Sequence, residues 1–158
     1  EKVPSNSNLE YRHVSGGMLV QSGDSIKDDA KTWRVATKRE PTKEEWKALL
    51  FAWKCAKHIK SNAIVLSKGT TLLGMGAGQP SRVDSVEISL KKAGENAKGS
   101  VMSSDAMFPF ADGIELAARG GIAAVVQPGG SMRDDLVVEM ANKYNLAMVF
   151  TGVRHFKH

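Results

Sequence analysis

The sequence predicts a layered α/β/α fold around a mixed sheet, and three observations carry that expectation. Short continuous apolar runs at 63–66, 122–126 and 146–150 have the composition of strands buried on both faces. Between them lie segments whose apolar residues recur at helical spacing. The two kinds of segment alternate through the second half of the chain, as they do when helices cover a sheet.

Each element has its own signal. Residues 1–8 (EKVPSNSN) are polar and read as a linker or the remnant of a cloning boundary, which leaves 9–158 as one domain. A strand-like stretch over 11–21 is interrupted by Gly16 and Gly17, a charged surface loop covers 24–32, and 33–38 reads as a short strand. Thr42 and Glu45 have the spacing of a capping box, in which each side chain satisfies a backbone N–H at a helix start. The helix they open carries Trp46, Leu49, Leu50, Trp53 and Ile59 and is expected to reach Lys60. A turn at Lys68-Gly69 separates the strand at 63–66 from a second at 70–75. Ser81 with Asp84, and Ser131 with Asp134, predict two further capping boxes, opening helices to Ala93 and Tyr144. A strand at 100–103, a helix over 112–119 ended by Gly120-Gly121, and the runs at 122–126 and 146–150 complete the pattern.

Composition narrows the function classes. With 158 residues, 42% hydrophobic and 25% charged, the chain matches a single soluble domain with one core. No run approaches the roughly 20 apolar residues a membrane span needs, and the first residues lack a signal peptide's apolar centre, so no membrane partner is expected. The single cysteine, Cys55, rules out an internal disulfide or a multi-cysteine metal site and points to a cytoplasmic protein. The net charge is +5, but its Lys and Arg are scattered among acids, and the densest basic cluster is Lys54, Lys57, His58 and Lys60. That spread does not match a nucleic-acid footprint and suits a small anionic ligand instead.

No Gly-x4-Gly-Lys-Ser/Thr loop is present, and Gly74-x-Gly76-x-Gly78 lacks the dinucleotide-binding spacing. The His-x-Glu and Pro-Cys-x-x-Cys pattern of zinc deaminases is absent, so no metal is expected. Four segments fall where strands give way to loops, the edge at which α/β sheets bind ligands: 60–62, 74–82, 103–113 and 127–132. The glycine-rich 76–82 loop enters a helix with Arg82 in its first turn, which fits an anion or simply a tight turn. The 127–131 loop is built the same way. Met107, Phe108, Pro109 and Phe110 lie between Asp105 and Asp112; they form either a stacking surface for a flat ring or a core plug with Asp112 as helix cap. Asn62 and Lys60 fit local backbone bonding as well as a ligand role, and the tail Arg154-His155-Phe156-Lys157-His158 reads by itself as a frayed end.

Together these segments resemble, in the same order, the C-terminal region of bifunctional purine biosynthesis proteins, which combine AICAR formyltransferase with IMP cyclohydrolase. The matching stretches are 60–64 (KSNAI), 74–83 (GMGAGQPSRV), 103–113 (SSDAMFPFADG), 127–131 (QPGGS) and 154–158 (RHFKH). The resemblance implies a cytidine-deaminase-like subdomain without zinc. It implies transfer of the formyl group of 10-formyltetrahydrofolate to AICAR, giving FAICAR, at a site between the subunits of a homodimer. Asn62 and Arg82 would contact AICAR, Asn62 as the catalytic amide, with Arg154 and Phe156 framing the substrate and His158 in a possible tail role. Val83, Met107, Pro109, Phe110, Asp112, Ser131 and Met132 would line the folate site; at Met107 many relatives carry Phe.

One departure bears on activity. The family's transferase uses a Lys-His pair in a segment upstream of those matched here, and His13 follows Arg12 in a different segment. The cyclohydrolase domain is also absent. The expectation is a C-terminal subdomain of the transferase that is inactive alone, and the alternative is a non-catalytic module that binds AICAR or folate.

Overall fold

The computed structural model describes residues 9–26 and 28–157, so the segment read as a linker and the terminal His158 lie outside the described residues. In chain order these residues form β1 (Leu9–Val14), β2 (Gly17–Ser22), β3 (Arg34–Val35), α1 (Lys43–Ala56), β4 (Ile64–Lys68), β5 (Thr71–Gly76), α2 (Arg82–Ala93), β6 (Val101–Ser104), α3 (Asp112–Arg119), β7 (Ala124–Gln127), α4 (Asp134–Lys143) and β8 (Ala147–Phe150). The stretch expected as one interrupted strand folds back at Gly16, which has φ +82°, into the antiparallel hairpin β1–β2.

The other six strands form one sheet in the order β3-β8-β7-β6-β4-β5. Strands β6, β7 and β8 are parallel; β4 is antiparallel to both β5 and β6, and β3 to β8. The sheet is therefore mixed, as the sequence predicts. It is covered on both faces. Helix α1 packs Ala48, Leu49, Ala52, Trp53 and Ala56 on Val65, Val101, Ala124, Val126, Ala147 and Val149. The opposite layer buries Val86, Ile114, Val137 and Ala141, one or more from each of α2, α3 and α4, against Ile64, Leu66, Met102, Val125 and Met148. Alternate residues of one strand thus enter different cores, which is why β4 and β7 read as unbroken apolar runs. Each large aliphatic side chain buried this way stabilises the fold by about 1.5–3 kcal/mol, more than a helix cap contributes.

Several boundaries differ from expectation. Helix α1 stops at Ala56, four residues short of Lys60, and its buried face is largely alanine, with Trp46 and Leu50 only half-buried. Small side chains let the helix lie close on the sheet, while Trp33 stacks on Trp46 at 6.3 Å and meets Trp53 edge-on at 5.8 Å. Strand β3 is only two residues long because a side chain finishes its pairing: Ala36 N–H donates to the Met148 carbonyl, and Met148 N–H donates to Thr37 Oγ1.

Only the first capping box forms. Glu45 N–H donates to Thr42 Oγ1 and Thr42 N–H to Glu45 Oε2, and Arg39 adds an ion pair to the Glu45 carboxylate. Ser81 does sit at the start of α2, but its hydroxyl makes no bond to the helix; Ser85 N–H bonds the Ser81 carbonyl instead. At α4 the Asp134 carboxylate accepts from the N–H groups of Gly130 and Ser131, while Ser131 Oγ accepts from Arg133 N–H. Asp134 N–H is already taken by the Ser131 carbonyl in a tight turn, so the pair staples the 130–134 loop and Arg133 occupies the cap position.

Two features predict measurable stability changes. A Cβ on Gly76 would lie 2.1 Å from the Ser85 carbonyl oxygen, and one on Gly74 would lie 2.2 Å from that of Ser89, because α2 rests directly on the β5 backbone. Gly76→Ala is expected to destabilise by about 3 kcal/mol, read by urea unfolding. Burial pushes the Glu45 carboxyl up, but the hydrogen bonds from Arg39 and Thr42 N–H, together with the Arg39 charge, outweigh it and hold the carboxyl below its usual range. A depressed folded value means that this stabilisation is present above the unfolded range and disappears as pH falls through the folded one. Thr42→Ala is expected to cost about 1 kcal/mol at neutral pH. The gap in unfolding midpoint between Glu45→Gln and the parent should close on acidification.

Candidate functional site

The mixed topology gathers the four loop segments at one place. Ser104 at the end of β6 and Gly76 at the end of β5 both pair with Ile64, the first residue of β4. The parallel strands β7 and β8 end at the same edge, at Gln127 and Phe150. The 61–62 segment, which precedes an antiparallel strand, therefore lies beside loops that follow the other four.

An ion pair sealed from solvent organises this edge. Arg82, in the first turn of α2, has an 8% exposed side chain, and Asp105, just past β6, has none exposed; Nη1 of the first lies 2.5 Å from Oδ1 of the second. The same Nη1 donates to Ser104 Oγ at 2.7 Å, and Nη2 donates to Asn62 Oδ1 at 2.7 Å. Ser61 Oγ donates to the other Asp105 oxygen at 2.5 Å and accepts from Lys157 N–H at 3.1 Å. Arg82 is thus already neutralised and oriented, and its fork is not a free anion clamp. Asn62 Nδ2 donates to the Gln79 and Pro80 carbonyls at 2.8 and 3.2 Å. With both amide hydrogens used, Asn62 offers an incoming group only the second lone pair of its oxygen. The Ser61–Asn62 peptide is cis.

A groove of about 430 Å³ opens beside this network and is lined by Asn62, Pro80, Ser81, Arg82, Val83, Ala106, Met107, Phe108, Pro109, Phe110, Asp112 and Phe156. It joins eight of the twelve residues that the resemblance assigns to the site. The apolar 107–110 run divides its labour: Phe108 is a core plug, Met107 is half-buried, and Pro109 and Phe110 are exposed. Asp112 is the first residue of α3 and accepts from Gly113 N–H, with Ala111 in the cap position. Arg154 lies apart, in an adjoining cavity of about 520 Å³ that shares Phe156 with the groove; its guanidinium sits 5.1 Å above the Phe156 ring. Ser131 and Met132 line neither cavity, although Arg133 beside them lies 4.7 Å over the Phe110 ring. His158 lies outside the described residues.

Sequence reasoning passed over Asp105 as a flank of the apolar run, and also missed Ser61, Gln127 and His155. Gln127 is buried and accepts Phe108 N–H at 2.9 Å, tying the 103–113 and 127–131 loops together. The available signal was polar residues at the ends of apolar strands, Ser103-Ser104-Asp105 and Gln127, since buried polar groups need partners. Among the described residues no group of three His, Cys, Asp or Glu side chains is placed to hold a metal, and no helix is long and apolar enough to cross a membrane. Burial pushes the Cys55 thiol up.

The family model described as AICARFT/IMPCHase bienzyme matches residues 1–92. The chain belongs to the AICARFT/IMPCHase bienzyme family. Curated relatives agree with it: the bifunctional purine biosynthesis protein PurH of Anoxybacillus flavithermus is 54% identical over 92% of this chain, and the PurH proteins of Bacillus thuringiensis and Bacillus anthracis are 52% identical over all of it. The chain spans about three tenths of the length of these relatives, 28% of the first and 31% of the others. Among solved structures, form 2 of Acinetobacter baumannii RibD aligns with 68% of this chain and 34% of its own at 18% identity, with a TM-score of 0.44. The part of the bienzyme family described here contributes a β-sheet edge and a groove, both resting on Arg82 and Asp105.

Breaking a buried ion pair by removing one partner leaves an uncompensated charge and costs about 3–5 kcal/mol. Asp105→Ala is expected to lose that much by urea unfolding, whereas Asp112→Ala, at the exposed rim, should stay within about 0.5 kcal/mol of the parent.

Proposed function

We propose that this chain is a subdomain of AICAR formyltransferase, the enzyme of purine biosynthesis that moves the formyl group of 10-formyltetrahydrofolate to the 5-amino group of AICAR. One observation carries this reading: a single groove gathers Asn62, Arg82, Val83, Met107, Pro109, Phe110, Asp112 and Phe156 from four separated segments. Membership of the bienzyme family and the PurH relatives support it.

In this reading the second lone pair of Asn62 Oδ1 accepts a hydrogen from the AICAR amine and points its nitrogen lone pair at the formyl carbon. Arg82 holds the Asn62 carbonyl in place through the bond from Nη2. Arg154, exposed and in no ion pair with an acidic side chain among the described residues, meets the substrate phosphate, and the Phe156 ring flanks the imidazole. Val83, Met107, Pro109 and Phe110 form an apolar wall for the flat pterin, and Asp112 has its second carboxylate oxygen for the pterin's N–H edge. Ser131 and Met132 meet the more distant part of the folate. Attack forms the new C–N bond, the bond from formyl carbon to folate N10 breaks, the amine loses a proton and N10 gains one, leaving tetrahydrofolate. The titratable side chains lining the groove are Arg82 and Asp112; in this reading the first is spent on Asp105 and the second faces the pterin, so neither serves the amine as base. Proton transfer then falls to groups elsewhere in the complete polypeptide, in line with the Lys-His pair the resemblance implies. General acid–base assistance is typically worth about 10²–10⁴-fold, so the 158-residue chain alone should show little turnover. A homodimer that completes the site, a cyclohydrolase activity in the rest of the polypeptide and a cytoplasmic location belong to the same reading.

That this reading assigns no described groove residue as base to the amine also favours one alternative, a module that binds AICAR or folate without reacting. Formyl transfer by the complete gene product separates the two. Turnover, with Asn62→Ala lowering kcat by about 10²-fold, supports the transferase. AICAR binding by calorimetry without turnover supports the module, and neither binding nor turnover by the complete product sinks both.

A further inference from the structure

After β8 the chain leaves the sheet and crosses the ligand edge as residues 151–157. Its backbone is held at intervals: Thr151 N–H to the Gln127 carbonyl, Gly152 N–H to that of Pro128, His155 N–H to that of Asp105, and Ser61 N–H to that of Lys157. Such bonds are individually modest in water. Among residues 152–157 only His155 is buried, at 2% exposure, while its neighbours Arg154 and Phe156 are exposed and reach the two cavities. The anchoring of the tail therefore turns on one imidazole.

Both nitrogens of that ring face carboxylates: Nδ1 lies 2.5 Å from Asp24 Oδ2 and Nε2 lies 3.2 Å from Asp28 Oδ1. A carboxylate only accepts, so both contacts are hydrogen bonds only when both nitrogens carry hydrogen, as in the imidazolium. Lys57 Nζ sits 3.4 Å from Asp24 Oδ1 and donates to the Ile26 carbonyl at 2.8 Å. Two acids and two cations then balance, which is the condition for keeping a charged ring under cover. The Trp53 ring, 5.0 Å away, packs against the imidazole from the core side. His155 itself lines neither cavity.

We propose that His155, clamped as an imidazolium between Asp24 and Asp28, is the positioning residue that holds Arg154 and Phe156 at the ligand edge; under the formyltransferase reading above, on which this functional arm rests, it sets the affinity for AICAR without touching it. Asp24 and Asp28 thereby act on the site although neither lines the groove beside Asn62; Asp24 does line the adjoining cavity that holds Arg154.

Two variants test this from opposite sides, His155→Leu and the double substitution Asp24→Asn with Asp28→Asn, which leaves the imidazole and its packing on Trp53 in place. In the 158-residue chain, amide hydrogen exchange at 153–157 should rise about tenfold or more in both, with β6, β7 and β8 unchanged. Combining the substitutions should add little, since all remove one interaction. In the complete gene product, KM for AICAR should rise about tenfold while kcat and KM for 10-formyltetrahydrofolate stay within about twofold. Unchanged tail exchange in both variants overturns the anchor. A released tail with an unchanged KM for AICAR overturns its role in substrate affinity. A parent enzyme that transfers nothing to AICAR defeats the formyltransferase reading instead, while the exchange data still decide whether His155 anchors the tail.

Discussion

The Arg82–Asp105 ion pair is the contact on which the loop edge of the sheet depends. Neither charge could remain buried alone, because an unpaired ion there is far more costly than an unpaired amide. Asp105 therefore holds Arg82, Arg82 holds the Asn62 carbonyl, and Ser61 links the same carboxylate to the tail. Four segments distant in sequence become one surface because they share partners in a single network. Such networks are cooperative: each bond strengthens its neighbours in a low-dielectric setting, and each lost partner exposes the rest.

A second charged cluster lies across the tail. Asp24, Asp28, Lys57 and His155 meet on the α1 side of the sheet, and the His155 backbone N–H reaches the Asp105 carbonyl. The two clusters thus meet through the main chain of the tail. Arg154 and Phe156 project outward from a segment fixed on both sides, and this gives a short irregular stretch a defined place beside the groove.

Much of this was legible in the sequence. The alternation of apolar runs with helical spacings predicted the layers and the mixed sheet, since period and length follow from local geometry. Thr42 and Glu45 formed their box because Glu reaches back over a full helical turn. The pairs ending in aspartate did not: Ser81 leaves its hydroxyl unused by the helix, and Asp134 ties a loop rather than a cap. The glycines at 74 and 76 looked like part of a ligand loop but serve the close packing of α2 on β5. Sequence spacing cannot tell a backbone that approaches a ligand from one that approaches a helix.

By itself the sequence determined the α/β class, the order of the elements from α1 onward, the family and the segments that meet at one edge of the sheet, because motifs and periodicities are local properties. Tertiary structure alone decided which polar groups spend themselves on each other. Arg82, whose fork fitted either an anion or a tight turn, is spent on Asp105, Ser104 and Asn62; Asn62 has given up both amide hydrogens; and the tail, which by itself reads as frayed, buries a histidine. Those outcomes depend on partners 23 residues away for Arg82 and 131 for His155. Only folding brings such groups within hydrogen-bond reach, and only there does the cost of burying them unpaired select the pairing.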